Sequence, residues 1–101
     1  MNVRILSGAQ EDLANGFRFY EAQAEGLGAH FIDSLYSDID SLKFSSGIHK
    51  VMAGGYYRML SKRFPFAIYY LLKDETVLVE AVLDCRRSPV WIRKRLRNKD
   101  V

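Results

Sequence analysis

The spacing of hydrophobic positions changes twice along the chain, and each change marks a boundary between elements. Val3 and Ile5 alternate with polar neighbours within Asn2–Leu6, the pattern of a short first strand. From Ser7 the spacing lengthens. Ala9, Leu13, Phe17 (or Gly16), Tyr20 and Ala24 recur at steps of three or four, one apolar stripe of an amphipathic helix. Ser7, with Gln10 three residues later and Glu11-Asp12 beyond it, reads as a capping box with acids near the positive end of the helix dipole. Gly26-Leu27-Gly28 interrupts this helix, and a second stripe follows at once through Leu27, Phe31, Leu35, Ile39 and Leu42. So short a joint predicts an antiparallel helix hairpin, with both stripes in the core.

Ser45-Ser46-Gly47 and Gly54-Gly55 bracket a loop that holds His49 and Lys50. After it the period drops to two. Tyr56 to Arg63 places Tyr57, Met59 and Ser61 on one side and Tyr56, Arg58, Leu60 and Lys62 on the other. Phe64-Pro65 is a turn, because proline cannot donate to a central ladder. Phe66 to Leu72 is almost wholly apolar and predicts a central strand. Thr76 to Leu83 predicts its neighbour, separated from it by Lys73-Asp74-Glu75. Ser88 and Pro89 then serve as N-cap and first residue of a short helix to about Arg97, packed through Ile92 and Leu96. The fold class is α+β in the order β-αα-βββ-α: a helix hairpin on a small, mainly antiparallel sheet, with a short C-terminal helix. No repeat or linker divides residues 1–101, which form a single domain.

Composition supports this picture. A length of 101 residues and a hydrophobic share of 49% suit one globular core. The longest apolar run, Phe66 to Leu72, is too short to span a bilayer. The N-terminus lacks the apolar stretch of a secretory signal, and Cys85 is the lone cysteine. A cytoplasmic protein without disulfides or cofactors is expected.

Charge changes the picture more. Residues 1–42 carry two basic and seven acidic side chains, a net −5, whereas residues 43–101 carry thirteen and five, a net +8. From Arg86 to Lys99 there are seven basic residues and no acid. The second half therefore suits an anionic partner, nucleic acid or an acidic protein segment, although a solvated basic helix would carry the same charges. Arg58 and Lys62 fall on one strand face, roughly 13 Å apart. Arg86 and Arg87 follow the last strand, and the final helix adds Arg93, Lys94, Arg95, Arg97 and Lys99. Guanidinium groups so placed can grip phosphate or carboxylate in a bidentate way.

Other chemistry is scarce. Gly54-Gly55 lacks the spacing of a phosphate loop, and neither His30 nor His49 belongs to a metal-ligand pattern, so both read as surface residues. Cys85 reads as a small side chain packed at a strand end.

The run Tyr57-Arg58-Met59-Leu60-Ser61-Lys62-Arg63-Phe64-Pro65-Phe66-Ala67-Ile68-Tyr69-Tyr70, followed by Ala81-Val82-Leu83-Asp84-Cys85-Arg86-Arg87-Ser88-Pro89, resembles the RelE/ParE toxin superfamily. Asp12-Leu13, Tyr20-Glu21 and Gly26-Leu27-Gly28 followed by Phe31 extend the resemblance over nearly the whole chain. It implies the toxin of a type II toxin–antitoxin module, with growth inhibition and plasmid stabilisation as its effects. A cognate antitoxin would wrap the hairpin and sheet and supply the dimer contacts. RelE-like members cut mRNA on the ribosome with a cluster of basic residues and usually a tyrosine; ParE-like members lack the cluster and poison DNA gyrase. Arg58 matches the first basic residue of that cluster and Arg87 the last-strand arginine. Leu60 stands at a lysine position, Ala67 at an arginine position, and Trp91 near the tyrosine position. Cutting RNA needs an acid, a base and charge stabilisation, which Leu60 and Ala67 cannot supply. The resemblance thus lies nearer the ParE-like branch, with Arg58, Lys62, Arg86, Arg87, Arg93, Lys94 and Arg95 as contact residues. The alternatives are a ribosome-dependent endoribonuclease using Arg58, Arg87 and Lys62, and a plain nucleic-acid-binding module.

Overall fold

Phe66–Lys73 (β4) forms the middle of a five-stranded sheet, as its unbroken apolar run predicts. The computed structural model describes residues 1–52 and 54–97. Thr76–Asp84 (β5) and Tyr57–Leu60 (β3) flank β4 antiparallel, and the outer strands are Asn2–Ile5 (β1) and Lys50–Val51 (β2). The order is β1-β5-β4-β3-β2, with β1 parallel to β5. The sheet is therefore mixed. The meander is the expected one, while β2 was not expected, because two residues are too few to show a period.

Ser7–Gln23 (α1) and Leu27–Asp40 (α2) form the predicted hairpin and cover one face, with the short Leu42–Ser45 (α3) after them. Their buried side chains, among them Leu13, Tyr20, Phe31, Leu35 and Ile39, meet Phe66, Ile68, Tyr70, Val77 and Val79 of the sheet. Two glycines let the helices touch. A Cβ on Gly16 would stand 2.4 Å from the Phe31 ring, and one on Gly28 would stand 2.8 Å from the Phe17 carbonyl. Gly16 therefore holds the core position in the first stripe, and Phe17 is exposed. Glu21 closes the joint by accepting from Gly26 N–H at 3.0 Å and Gly28 N–H at 2.9 Å, which caps α2 from a neighbouring helix.

The other face carries a thinner layer. Tyr56, Ala67, Tyr69, Ala81 and Leu83 are covered by Pro89–Arg97 (α4) through Leu96 and Ile92. Ser88 caps α4 as expected, its Oγ accepting from Trp91 N–H at 3.1 Å. One irregularity lets β5 serve both layers. Tyr69 pairs with Ala81 but Tyr70 with Val79, so Glu80 is an extra residue. The bulge shifts the alternation: Val77, Val79 and Val82 face the hairpin, and Ala81 and Leu83 face α4.

Several expectations are corrected. Ser7 is already helical and caps nothing; the preceding Leu6 still donates to Val79 C=O in the sheet, and Gln10 Nε2 reaches Ile5 C=O instead. Glu11 and Asp12 lie past the first turn. Ala24 is exposed because α1 stops at Gln23. β3 ends at Leu60 rather than Arg63. Cys85 is exposed beyond the end of β5. His49 is no plain surface residue: its Nδ1 lies 2.6 Å from the hydroxyl of buried Tyr70, and burial lowers its pKa. Lys99 lies outside the described residues. Among those described, no helix is long and apolar enough to cross a membrane.

Candidate functional site

The cations that share a stretch of sequence have different fates in space. Arg58 sits on β3 between Tyr69 of β4 and Lys50 of β2, on the face that α4 partly covers. Its Nε is buried and has no hydrogen-bond partner among the described residues. Burial raises the pKa of the facing Tyr69 phenol, and Arg58 pulls it partly back. Arg58 is thus half-buried, packed against the Tyr69 phenol and next to Lys50 across the strand pair.

Lys62 does not join it. Alternation stops with β3 at Leu60, and Ser61 and Lys62 turn toward α2. There the buried Asp38 carboxylate accepts from Ser61 Oγ at 2.8 Å and from Lys62 N–H at 3.3 Å. Lys62 and Arg63 border a cleft of about 360 Å³ with His30, Asp33 and Asp38 on the hairpin side of the sheet.

Arg86 is closely paired. Its Nε and Nη2 donate to the two oxygens of Asp84 at 2.9 and 2.6 Å. This pairing holds the Asp84 carboxyl below its usual range and raises the Arg86 pKa. Arg95 turns inward. Its Nη2 lies 2.8 Å from both Asp12 oxygens and 3.2 Å from Gly8 C=O, joining α4 to α1. Asp12 also accepts from Val82 N–H at 3.0 Å, on the β5 edge that β1 leaves unpaired. Burial raises the Asp12 pKa, and the Val82 N–H and Arg95 offset part of that rise.

The remaining cations are open. Arg93 and Lys94 are exposed along α4, and the Arg87 guanidinium lies 4.3 Å from the centroid of the Trp91 ring, a cation–π contact. Arg87 and Trp91 border a groove of about 590 Å³ between α1 and α4, floored by the end of β5. Leu60 and Ala67 are cross-strand partners beside Arg58, one exposed and one buried, so an apolar pair occupies the ground next to that arginine.

No family model matches the chain, and no curated protein sequence matches it. Among solved structures it matches a chain of the chromosomal ParDE TA system from P. aeruginosa, with a TM-score of 0.72 and 14% identity. The match covers 81% of this chain and 92% of that one. The fold is ParE-like. At that identity the likeness lies in the path of the backbone.

Sequence reasoning missed Asp12 as an anchor, Glu21 as the cap of α2, and the Phe19–Trp91 groove. Asp12 and Arg95 are 83 residues apart, and no spacing rule links them. Glu21 had a local signal: an acid five residues before a Gly-x-Gly joint.

Proposed function

We propose that the chain is the toxin of a type II toxin–antitoxin module, acting by protein–protein contact on DNA gyrase and silenced by a cognate antitoxin. The observation that carries this reading is the ParE-like fold together with the apolar Leu60–Ala67 pair beside Arg58. Phosphodiester cleavage needs proton donors and acceptors around the phosphate, and that pair offers none. Arg58, Arg87, Arg93 and Lys94 are the target contacts in this reading, because their side chains make no ion pair among the described residues, unlike Arg86 and Arg95, and they lie off the hairpin side where Lys62 sits. Arg86 and Arg95 hold the fold, and Lys62 serves the hairpin side. The antitoxin supplies dimer contacts, and the site of action is the cytoplasm.

Ribosome-dependent mRNA cleavage is the second reading, favoured by the unsatisfied Arg58 Nε next to Tyr69. Expression of the chain alone in bacteria separates the two. Growth arrest with a DNA-damage response and trapped gyrase cleavage complexes is expected. Codon-linked mRNA cuts with gyrase untouched would overturn the proposal.

A further inference from the structure

Past Val79 the outer edge of β5 has no strand beside it among the described residues, because β1 ends at Ile5, opposite Val79, and the chain turns into α1. Two hydrogen bonds fix the direction of the peptide groups along this stretch. Cys85 N–H donates to Pro65 C=O on the β4 side at 2.9 Å, and Val82 N–H donates outward to Asp12. Peptide groups of alternate residues in a strand point the same way, so Val82 C=O and Asp84 N–H also point outward. Val82 to Asp84 floor the 590 Å³ groove.

The walls of the groove come from opposite faces of the sheet. α1 contributes Phe19 and Glu11 from the hairpin side, and α4 with the turn before it contributes Trp91 and Arg87 from the other. Phe19 is 53% exposed and Trp91 38% exposed, so both present apolar surface to an occupant. Of the bordering cations, Arg95 is held by Asp12, whereas Arg87 makes no ion pair among the described residues. Asp84 is neutralised by Arg86.

We propose that this groove takes an extended acidic–apolar segment of a partner protein as an added strand along Val82–Asp84. Side chains of an added strand alternate between the two walls. One set meets Phe19 and is apolar, since Glu11 repels acids there. The other set meets Arg87 on its Trp91 shelf and is acidic. Only the source of the segment, a neutralising partner, rests on the toxin reading; the groove and its preference do not.

The test is a fluorescein-labelled hexapeptide alternating leucine and glutamate, titrated into the full chain while the Asp84 amide is followed by NMR. Saturable binding with a shift at Asp84 N–H is expected. Arg87→Gln and Phe19→Ser should each weaken it about tenfold, as should N-methylation of alternate peptide amides. Both residues are exposed, and thermal melts of the two variants confirm folding. Equal binding of a leucine–lysine peptide, or of the N-methylated one, would overturn the added strand. Sedimentation showing self-association that Arg87→Gln abolishes would replace the partner by a second copy and overturn the proposal. A chain that binds the peptide but leaves growth untouched sinks the toxin reading alone; growth arrest without peptide binding sinks the groove alone.

Discussion

The two faces of the sheet are stabilised by different means. On the hairpin face, Tyr20, Phe31, Phe64 and Phe66 form an aromatic cluster with ring centroids 4.9 to 6.2 Å apart. The backbones close on it at Gly16 and Gly28, so shape complementarity carries the layer. On the other face, α4 covers the sheet with Leu96 and Ile92, and polar contacts hold it in place: Arg95 to Asp12, Tyr56 hydroxyl to Leu96 C=O, and the Ser88 cap. Close packing predicts that the hairpin face tolerates little change, and polar pinning predicts that the α4 face opens first. That contrast puts the open cations Arg93 and Lys94 on the polar-pinned helix and Arg87 in the turn that leads into it.

The contrast can be broken most strongly at Phe31. Phe31→Ala should cost about 3–5 kcal/mol in chemical denaturation, as a buried ring lost from a tight layer does. Gly16→Ala alone should cost about 1–3 kcal/mol by overpacking against that ring. In the Phe31→Ala background most of this second cost should vanish, so a double-mutant cycle with no coupling would contradict the packing described.

Arg95→Met tests the polar pin. It leaves the half-buried Asp12 without its cation and should cost about 1–3 kcal/mol. Amide exchange should speed first in α4, with the hairpin still protected; uniform loss of protection would show that the two faces are one cooperative unit. Ser88→Ala removes the α4 cap and should cost about 1 kcal/mol, read in the same exchange experiment.

The smallest effect concerns the loop between α3 and β2. Gly47 N–H donates to the Tyr70 hydroxyl at 3.0 Å, and that hydroxyl shares a hydrogen bond of 2.6 Å with His49 Nδ1, which holds the ring against the sheet. Burial disfavours the charged imidazole, so the folded state binds this proton more weakly than the unfolded chain and the His49 pKa lies below its ordinary 6.5. The His49 contribution is fully present above pH about 6.5 and is lost as pH falls toward the lowered folded value. Denaturation between pH 5 and 8 should show stability rising with pH, and His49→Asn should flatten that slope.

Much of the fold was legible because its signals are local. The stripes through Leu13, Phe31 and Leu35, the apolar run of β4, and the Ser88-Pro89 start of α4 each lie within a few residues, where periodicity and capping act. The candidate site was legible only as a set of charges. Arg58 stands half-buried on β3 and Arg87 just past the end of β5, but Lys62 left the shared face when β3 stopped three residues early.

The sequence by itself determined the order of elements, the tight helix joint, the composition of the main core and the position of the basic end. Only the tertiary structure decided which basic residues are available. Arg95 is spent on Asp12 and Arg86 on Asp84, while the Glu80 bulge and the early end of β1 open the edge of β5 between α1 and α4. The physical reason is range. Helix and strand periods are set by neighbours along the chain, but ion pairing, register and an uncovered edge depend on groups brought together from opposite ends of it.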